Sequence, residues 1–122
     1  MHIKKNKDKI ELNKFGGTIT MNIGCDIIKN KRLENKEQRF IDFILTEKEQ
    51  IEFKKKGNLY LCGRFAAKEA IMKAMPNTKK YCFLDFEILT DNFGSPYCSN
   101  NSNIKLSISH EKKYTMAVAI VY

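Results

Sequence analysis

The chain lacks any apolar run near the ~20 residues that a helical membrane span requires, so no membrane partner is expected. It has only two histidines, His2 and His110, which excludes a histidine-rich metal site. None of its four cysteines, Cys25, Cys62, Cys82 and Cys98, forms a C-x-x-C pair. They read as reduced, core-type residues, not as a zinc ribbon or a disulfide framework. The opening MHIKKNKDKIELNK is charged and has no apolar centre of the kind a signal peptide needs, so a cytoplasmic location is expected. There is no internal repeat. With 122 residues there is room for one domain with a modest core, not for two.

What the chain has in excess is positive charge. The net charge of +8 predicts attraction to an acidic partner without selecting one: nucleic acid, anionic lipid, a phosphorylated small molecule or an acidic protein. Hydrophobic residues at 43% and charged residues at 30% fit a globular chain that folds on its own.

Residues 1–17 are polar and basic and end in Gly16-Gly17, which marks them as a flexible extension or a cloning remnant. Met21 is an alternative start to Met1. The single domain is expected over residues 18–122. Ile19, Met21, Ile23, Cys25 and Ile27 alternate with Thr20, Asn22, Gly24 and Asp26, which predicts a strand whose apolar set is buried. The charged run Lys29–Arg39 leads through a loop or short helix around Arg32 into a helix ending near Leu45. Thr46-Glu47-Lys48-Glu49 is a T-x-x-E capping box. It opens a helix over Glu47–Lys55 with Ile51 inside and Gly57 as its stop.

Leu59–Met75, LYLCGRFAAKEAIMKAM, predicts a long buried helix, capped by Asn58 and ended by Pro76-Asn77. Beyond it the period changes to two. Cys82, Leu84, Phe86 and Ile88 predict a strand, Asp91–Gly94 a turn, and Pro96–Cys98 a short extended piece. Ile104, Leu106 and Ile108 predict another strand, with His110–Lys113 as the following turn. Thr115, Ala117, Ala119 and Val121 belong to a last, central strand. One strand, three helices and a meander make an α+β fold with a mainly antiparallel sheet.

Three polar features sit at special places: Asp26 at a strand end, Glu69 and Lys73 one turn apart on the apolar helix, and Ser109-His110 where a hairpin turns. Taken singly, each has an ordinary structural role: a strand-end carboxylate, an i,i+4 pair, a turn residue. Together they supply the parts of a phosphoryl-type transfer site. Two carboxylates can hold Mg2+ against substrate phosphates. A lysine can neutralise developing phosphate charge, and a histidine can hydrogen-bond a phosphate or move a proton.

In order and spacing, Ile23-Gly24-Cys25-Asp26-Ile27, then Gly63-Arg64-Phe65-Ala66-Ala67-Lys68-Glu69-Ala70 with Lys73-Ala74, Gly94-Ser95-Pro96-Tyr97, and Leu106-Ser107-Ile108-Ser109-His110 form a specific combination. Arg39-Phe40 followed by Ile44-Leu45-Thr46 adds to it. From about Thr20 to the C-terminus the chain resembles the holo-(acyl-carrier-protein) synthases, the small bacterial type of 4′-phosphopantetheinyl transferase.

The resemblance implies a 4′-phosphopantetheinyl transferase-like fold and a Mg2+-dependent transfer in fatty acid biosynthesis. The 4′-phosphopantetheine arm of coenzyme A passes to a serine of acyl carrier protein, releasing adenosine 3′,5′-bisphosphate. It implies that Asp26 and Glu69 hold the metal and that Lys73 lies beside the phosphates. His110 and Ser109, Arg64 and Pro96 then belong to the coenzyme A site, with Pro96 near the adenine. Arg32, with Lys36 and Arg39, is implied to meet the acidic carrier protein, and the assembly to be a homotrimer with active sites between subunits. The general base is either Glu69 or a metal-bound water near Asp26 and Glu69.

One departure stands out. Where the family has a glycine-rich phosphate loop, this chain has Met75-Pro76-Asn77-Thr78-Lys79-Lys80. Proline removes an N–H donor, and Lys79 or Lys80 is expected to substitute side-chain charge. The rival function is a non-catalytic basic nucleic-acid-binding module around Lys29–Arg39 with Phe40 and Phe43. No RNP, KH or zinc-finger pattern accompanies it.

Overall fold

The computed structural model describes residues 9–12, 18–77 and 79–122. Its elements in order are β1 (Lys9–Leu12), β2 (Thr18–Thr20), β3 (Asn22–Lys29), a 3-10 turn (Asn30–Leu33), and the helices α1 (Gln38–Ile44), α2 (Glu47–Lys56) and α3 (Asn58–Ala74). A second 3-10 turn (Phe83–Asp85) precedes β4 (Ile88–Thr90), β5 (Pro96–Cys98), β6 (Ile104–His110) and β7 (Tyr114–Val121). Of the stretch expected to be an extension, Lys9–Leu12 pairs antiparallel with Thr18–Thr20. Residues 1–8 and 13–17 lie outside the described residues.

The architecture is α+β, as expected. The main sheet is antiparallel in the order β3-β7-β6, so β7 is central. β4 and β5 form a separate antiparallel pair. The long helix α3 packs on the inner face of the sheet, against β3, β7 and β6. Small residues on both sides permit that approach. Ala66, Ala67, Ala70 and Ala74 on the helix and Ala117 and Ala119 on β7 are all buried. Leu61 and Ile71 of α3 are also fully buried, each worth roughly 1.5–3 kcal/mol relative to exposure.

The faces of β3 are the reverse of the expectation. Ile23 is 69% and Ile27 64% exposed, Cys25 is exposed with them, and Gly24 and Ile28 point inward. Period two says which residues share a face, not which face meets the helix. The decisive feature is Gly24: a Cβ there would stand 2.1 Å from the carbonyl oxygen of Ala70. Only glycine lets β3 lie that close to the α3 backbone.

Other expectations were also changed. α3 starts at Asn58, whose side chain donates to the Asn30 carbonyl at 3.2 Å instead of capping; the cap position is Gly57, at φ 84°. The capping box of α2 is present, but Ile51 is 59% exposed and Glu49 is the fully buried residue. Cys82–Asp85 does not extend into a strand, because the Asp85 carboxylate accepts from the Cys82 N–H at 2.8 Å and curls the chain into its 3-10 turn. Phe83 then stacks on Phe65, with centroids 5.2 Å apart. All four cysteines are free, yet only Cys62 and Cys98 are buried; Cys25 and Cys82 are exposed.

Candidate active site

A buried ion pair fixes the rotation of α3. Lys68 and Glu49 have side chains 0% exposed, with Nζ and Oε1 2.6 Å apart. Lys68 also donates to the Ile44 carbonyl at 2.6 Å. Glu49 accepts from the Thr46 N–H at 2.8 Å and from the Ile88 N–H at 2.6 Å. One salt bridge thus ties the ends of α1 and α2 and the start of β4 to α3. Desolvation pulls the Lys68 ammonium below its ordinary pKa, against the opposing pull of Glu49. With every polar atom of the pair matched, the geometry is specified strongly. Lys68 points into the core, so its neighbour Glu69 is carried round toward β3.

There Asp26, Glu69 and Lys73 come together. Lys73 turns its ammonium to Asp26, with Nζ 3.2 Å from Oδ1, and to the Cys25 carbonyl at 3.0 Å. The expected i,i+4 pair with Glu69 is therefore replaced by a bridge from helix to strand. Glu69 has its carboxyl pKa raised, first by desolvation and then by the Asp26 charge, with Lys73 opposing. Two carboxylates in mutual repulsion favour a cation between them. Their all-oxygen donor set suits a hard divalent ion. No group of three or more metal-ligating side chains occurs among the described residues. An ion held here would need phosphate or water oxygens to complete its shell. Lys73 is 55% exposed at its side chain and free to swing toward such a ligand.

About one and a half turns from Glu69 toward the N-terminus of α3, roughly 7.5 Å along the axis at Arg64, a second cluster lines a cavity of about 310 Å³. Arg64, His110, Pro96, Lys56 and Tyr60 are among its walls. Arg64 is held from three sides. Its Nε donates to the Ile88 carbonyl at 2.9 Å, its Nη2 donates to Thr90 Oγ1 at 2.9 Å, and its guanidinium lies 4.0 Å from the centre of the Tyr60 ring. Glu52 gathers these partners: it accepts from the Tyr60 hydroxyl at 2.8 Å and the Thr90 hydroxyl at 3.0 Å. Desolvation pushes the Tyr60 hydroxyl pKa far up.

His110 sits over Gly63, whose missing Cβ leaves space for the ring: a Cβ would lie 3.2 Å from Cε1. Its Nδ1 is 2.8 Å from Thr115 Oγ1, and that hydroxyl donates to Asn30 Oδ1 at 2.6 Å. With the hydroxyl proton so committed, Nδ1 carries the histidine proton and Nε2 is left as an acceptor toward the cavity. Desolvation, then Arg64, lowers the His110 pKa and favours this neutral form.

The remaining expected residues lie apart from these clusters. Ser109 is exposed, on the opposite face of β6 from His110's neighbour Ile108. The Lys79 ammonium lies 5.0 Å over the Tyr81 ring. Arg32 is exposed on the first 3-10 turn, Lys36 lies over the Phe40 ring at 5.2 Å, and Arg39 borders a shallow hollow with Phe40 and Phe43. Phe40 stacks on Phe65, and Phe43 meets the edge of Phe83 while staying 61% exposed. Glu52, Thr90 and Lys56 escaped the sequence-based assignment. Their one available signal was Tyr60, one helical turn before Arg64.

Comparison with known proteins identifies the family of the chain. The model of the 4′-phosphopantetheinyl transferase superfamily matches residues 22–119. The holo-(acyl-carrier-protein) synthase of Oceanobacillus iheyensis is 40% identical over 111 residues, covering 81% of this chain and 93% of that protein. That of Mycoplasma capricolum is 39% identical over 105 residues, covering 81% and 92%. The crystal structure of a Bacillus anthracis holo-(acyl-carrier-protein) synthase in complex with CoA (3′,5′-ADP) superposes with a TM-score of 0.72 at 38% identity, covering 82% of this chain and 94% of that one. The Helicobacter pylori enzyme in complex with coenzyme A gives a TM-score of 0.71 at 26% identity, covering 82% and 99%. The chain belongs to the 4′-phosphopantetheinyl transferase superfamily, in its holo-(acyl-carrier-protein) synthase family.

Proposed function

We propose that this chain transfers the 4′-phosphopantetheine group of coenzyme A to a serine of an acyl carrier protein. The observation that carries the proposal is the Asp26–Glu69–Lys73 cluster, mounted at the β3–α3 contact of a chain of this family. In the reaction the serine oxygen forms a bond to the phosphorus that bears the pantetheine arm. The bond from that phosphorus to the bridging pyrophosphate oxygen breaks, and adenosine 3′,5′-bisphosphate leaves. Mg2+ held by Asp26 and Glu69 would neutralise charge on the pyrophosphate. Lys73 supplies a second positive charge there, reaching from the same helix turn. Glu69, directly or through a metal-bound water near Asp26 and Glu69, would take the serine proton. The His110–Arg64–Pro96 cavity is the coenzyme A nucleotide site, where the Arg64 charge and the Nε2 and backbone rim of the cavity orient the donor. Lys79 and Lys80 take the part of the missing glycine loop by side-chain charge, and Arg32, Lys36 and Arg39 meet the acidic carrier protein.

The active enzyme is a cytoplasmic homotrimer of this single domain, residues 18–122. The outer face of the sheet presents Ile23 and Ile27 with Tyr114 and Met116 beside them, an apolar surface that a subunit interface would cover. Assembly through it would bring the carboxylate cluster of one subunit to the nucleotide cavity of the next. Asp26, Glu69 and Lys73 are not among the residues lining the nucleotide cavity.

The test is Glu69→Gln assayed for transfer of labelled phosphopantetheine to apo acyl carrier protein. The expected result is loss of transfer, by at least about 100-fold, with an unchanged circular dichroism spectrum. Near wild-type Mg2+-dependent transfer by this variant would remove Glu69 from the mechanism.

A further inference from the structure

Four lysines that the transfer chemistry does not use converge on one place. Lys29 ends β3, Lys31 lies in the 3-10 turn that follows, and Lys112 and Lys113 form the turn between β6 and β7. All four are exposed, and they ring an open cavity of about 390 Å³. Asn30, which is buried, forms its floor, Tyr114 lines it as well, and Glu34 is the one carboxylate among the lining residues.

The two lysine-bearing walls are locked together by Asn30, which is buried. Its backbone N–H donates to the Lys113 carbonyl at 2.8 Å. Its side-chain amide donates to the carbonyls of Glu111 at 3.0 Å and Lys112 at 3.3 Å. Its side-chain oxygen accepts from Thr115, and its backbone oxygen from Asn58. Glu111, the nearest other acid, accepts from the N–H groups of Lys113 and Tyr114 within the turn.

This chemistry selects the occupant. Every donor of Asn30 is already matched, so the floor offers no free amide N–H from that residue to grip a small phosphate. What remains is a ring of solvated ammonium groups on long stems. Such a ring suits an extended acidic surface presenting several carboxylates. Arg32, expected to meet the carrier protein, is adjacent to Lys31 in the same turn. We propose that the cavity ringed by Lys29, Lys31, Lys112 and Lys113 is a docking site for carboxylates of the acidic carrier protein, extending the surface that carries Arg32. The proposal rests on the functional assignment above. Exposed pairs of this kind contribute little individually, so together they act mainly on encounter rate and partner selection.

The test compares wild-type protein with Lys112→Glu/Lys113→Glu, neither residue being part of the transfer site. Two quantities are read: direct binding of fluorescently labelled apo carrier protein, and steady-state KM for carrier protein and for coenzyme A. At low ionic strength the variant should bind carrier protein about five- to tenfold more weakly, with KM for carrier protein raised equally and KM for coenzyme A unchanged. In about 0.5 M salt the difference should shrink below about twofold. Carrier affinity equal to wild type at every salt concentration overturns the proposal. So does a rise in KM for coenzyme A alone, which would mark a small-anion site, or a loss confined to binding of an RNA or DNA oligonucleotide. Lys112→Ala/Lys113→Ala, expected to weaken binding about threefold, gives the same readout if charge reversal perturbs folding. Failure of the wild-type protein to transfer at all would refute the functional assignment separately, since the binding arm needs no turnover.

Discussion

Replacing Gly24 by alanine adds one methyl group at the point where the site is built. That carbon would stand 2.1 Å from the Ala70 carbonyl oxygen, 3.0 Å from the Ala74 nitrogen and 3.1 Å from Lys73 Cβ. The first two are backbone atoms of α3 and cannot rotate away. Relief needs strand and helix to separate by about 1 Å, and the buried Lys68–Glu49 pair resists that movement of α3. Overpacking of this kind costs typically 1–3 kcal/mol. Because the obstacle is backbone, a cost of about 3 kcal/mol is expected, less about 0.4–1 kcal/mol recovered from the stiffer unfolded chain. At roughly 2.1 cal/mol/K of unfolding entropy per residue, the net of about 2–2.6 kcal/mol lowers Tm by about 8–10 °C. The same displacement would pull the Asp26 carboxylate away from Lys73, now 3.2 Å apart, so transfer should fall even below the new Tm. Calorimetric Tm and transfer rate at about 20 °C are the two readouts. Gly63→Ala is the control: its nearest contact is the His110 ring at 3.2 Å, and the helix gains propensity, so stability should stay near wild type. A Gly24→Ala protein with unchanged Tm and full transfer would refute the claim that this close approach positions the site.

Three further outcomes follow from the same geometry. Lys68→Met leaves Glu49 as a buried charge without its cation and should cost about 3–5 kcal/mol by urea unfolding, with Glu49→Gln/Lys68→Met recovering part of the loss; equal stability to wild type would contradict it. His110 has its pKa lowered on folding, so its contribution to stability is complete above its ordinary value of 6.5 and is lost as pH falls through the depressed one. Wild type should therefore lose more stability than His110→Gln between about pH 7.5 and 5.5, measured as urea midpoints at both values; parallel losses would contradict this. Ile23→Lys/Ile27→Lys places charge on the outer sheet face and should turn the proposed trimer into monomers by light scattering, with loss of transfer; a variant that still assembles as a trimer would exclude that face as the interface.

Much of this was legible in the sequence because local chemistry specified it. Thr46 and Glu49 announced the start of α2, and the small residues Ala117 and Ala119 marked β7 as central. Asp26, Glu69 and Lys73 were recognisable as a set, and they do meet. What the sequence concealed was tertiary. The alternation of β3 could not reveal that the glycine side, not the isoleucine side, meets the helix. The capping box places Glu49 at the start of α2 but does not reveal that its carboxylate is buried against Lys68. Glu52 and Thr90 are 38 positions apart, and only the fold brings them into direct hydrogen bond beside Arg64 and Tyr60.

The central claim is most directly tested by mass spectrometry of apo acyl carrier protein incubated with this chain, coenzyme A and Mg2+. The carrier protein should gain the mass of one phosphopantetheine group on a serine, and EDTA should abolish the gain. An unmodified carrier protein, or modification undiminished by EDTA, would contradict it.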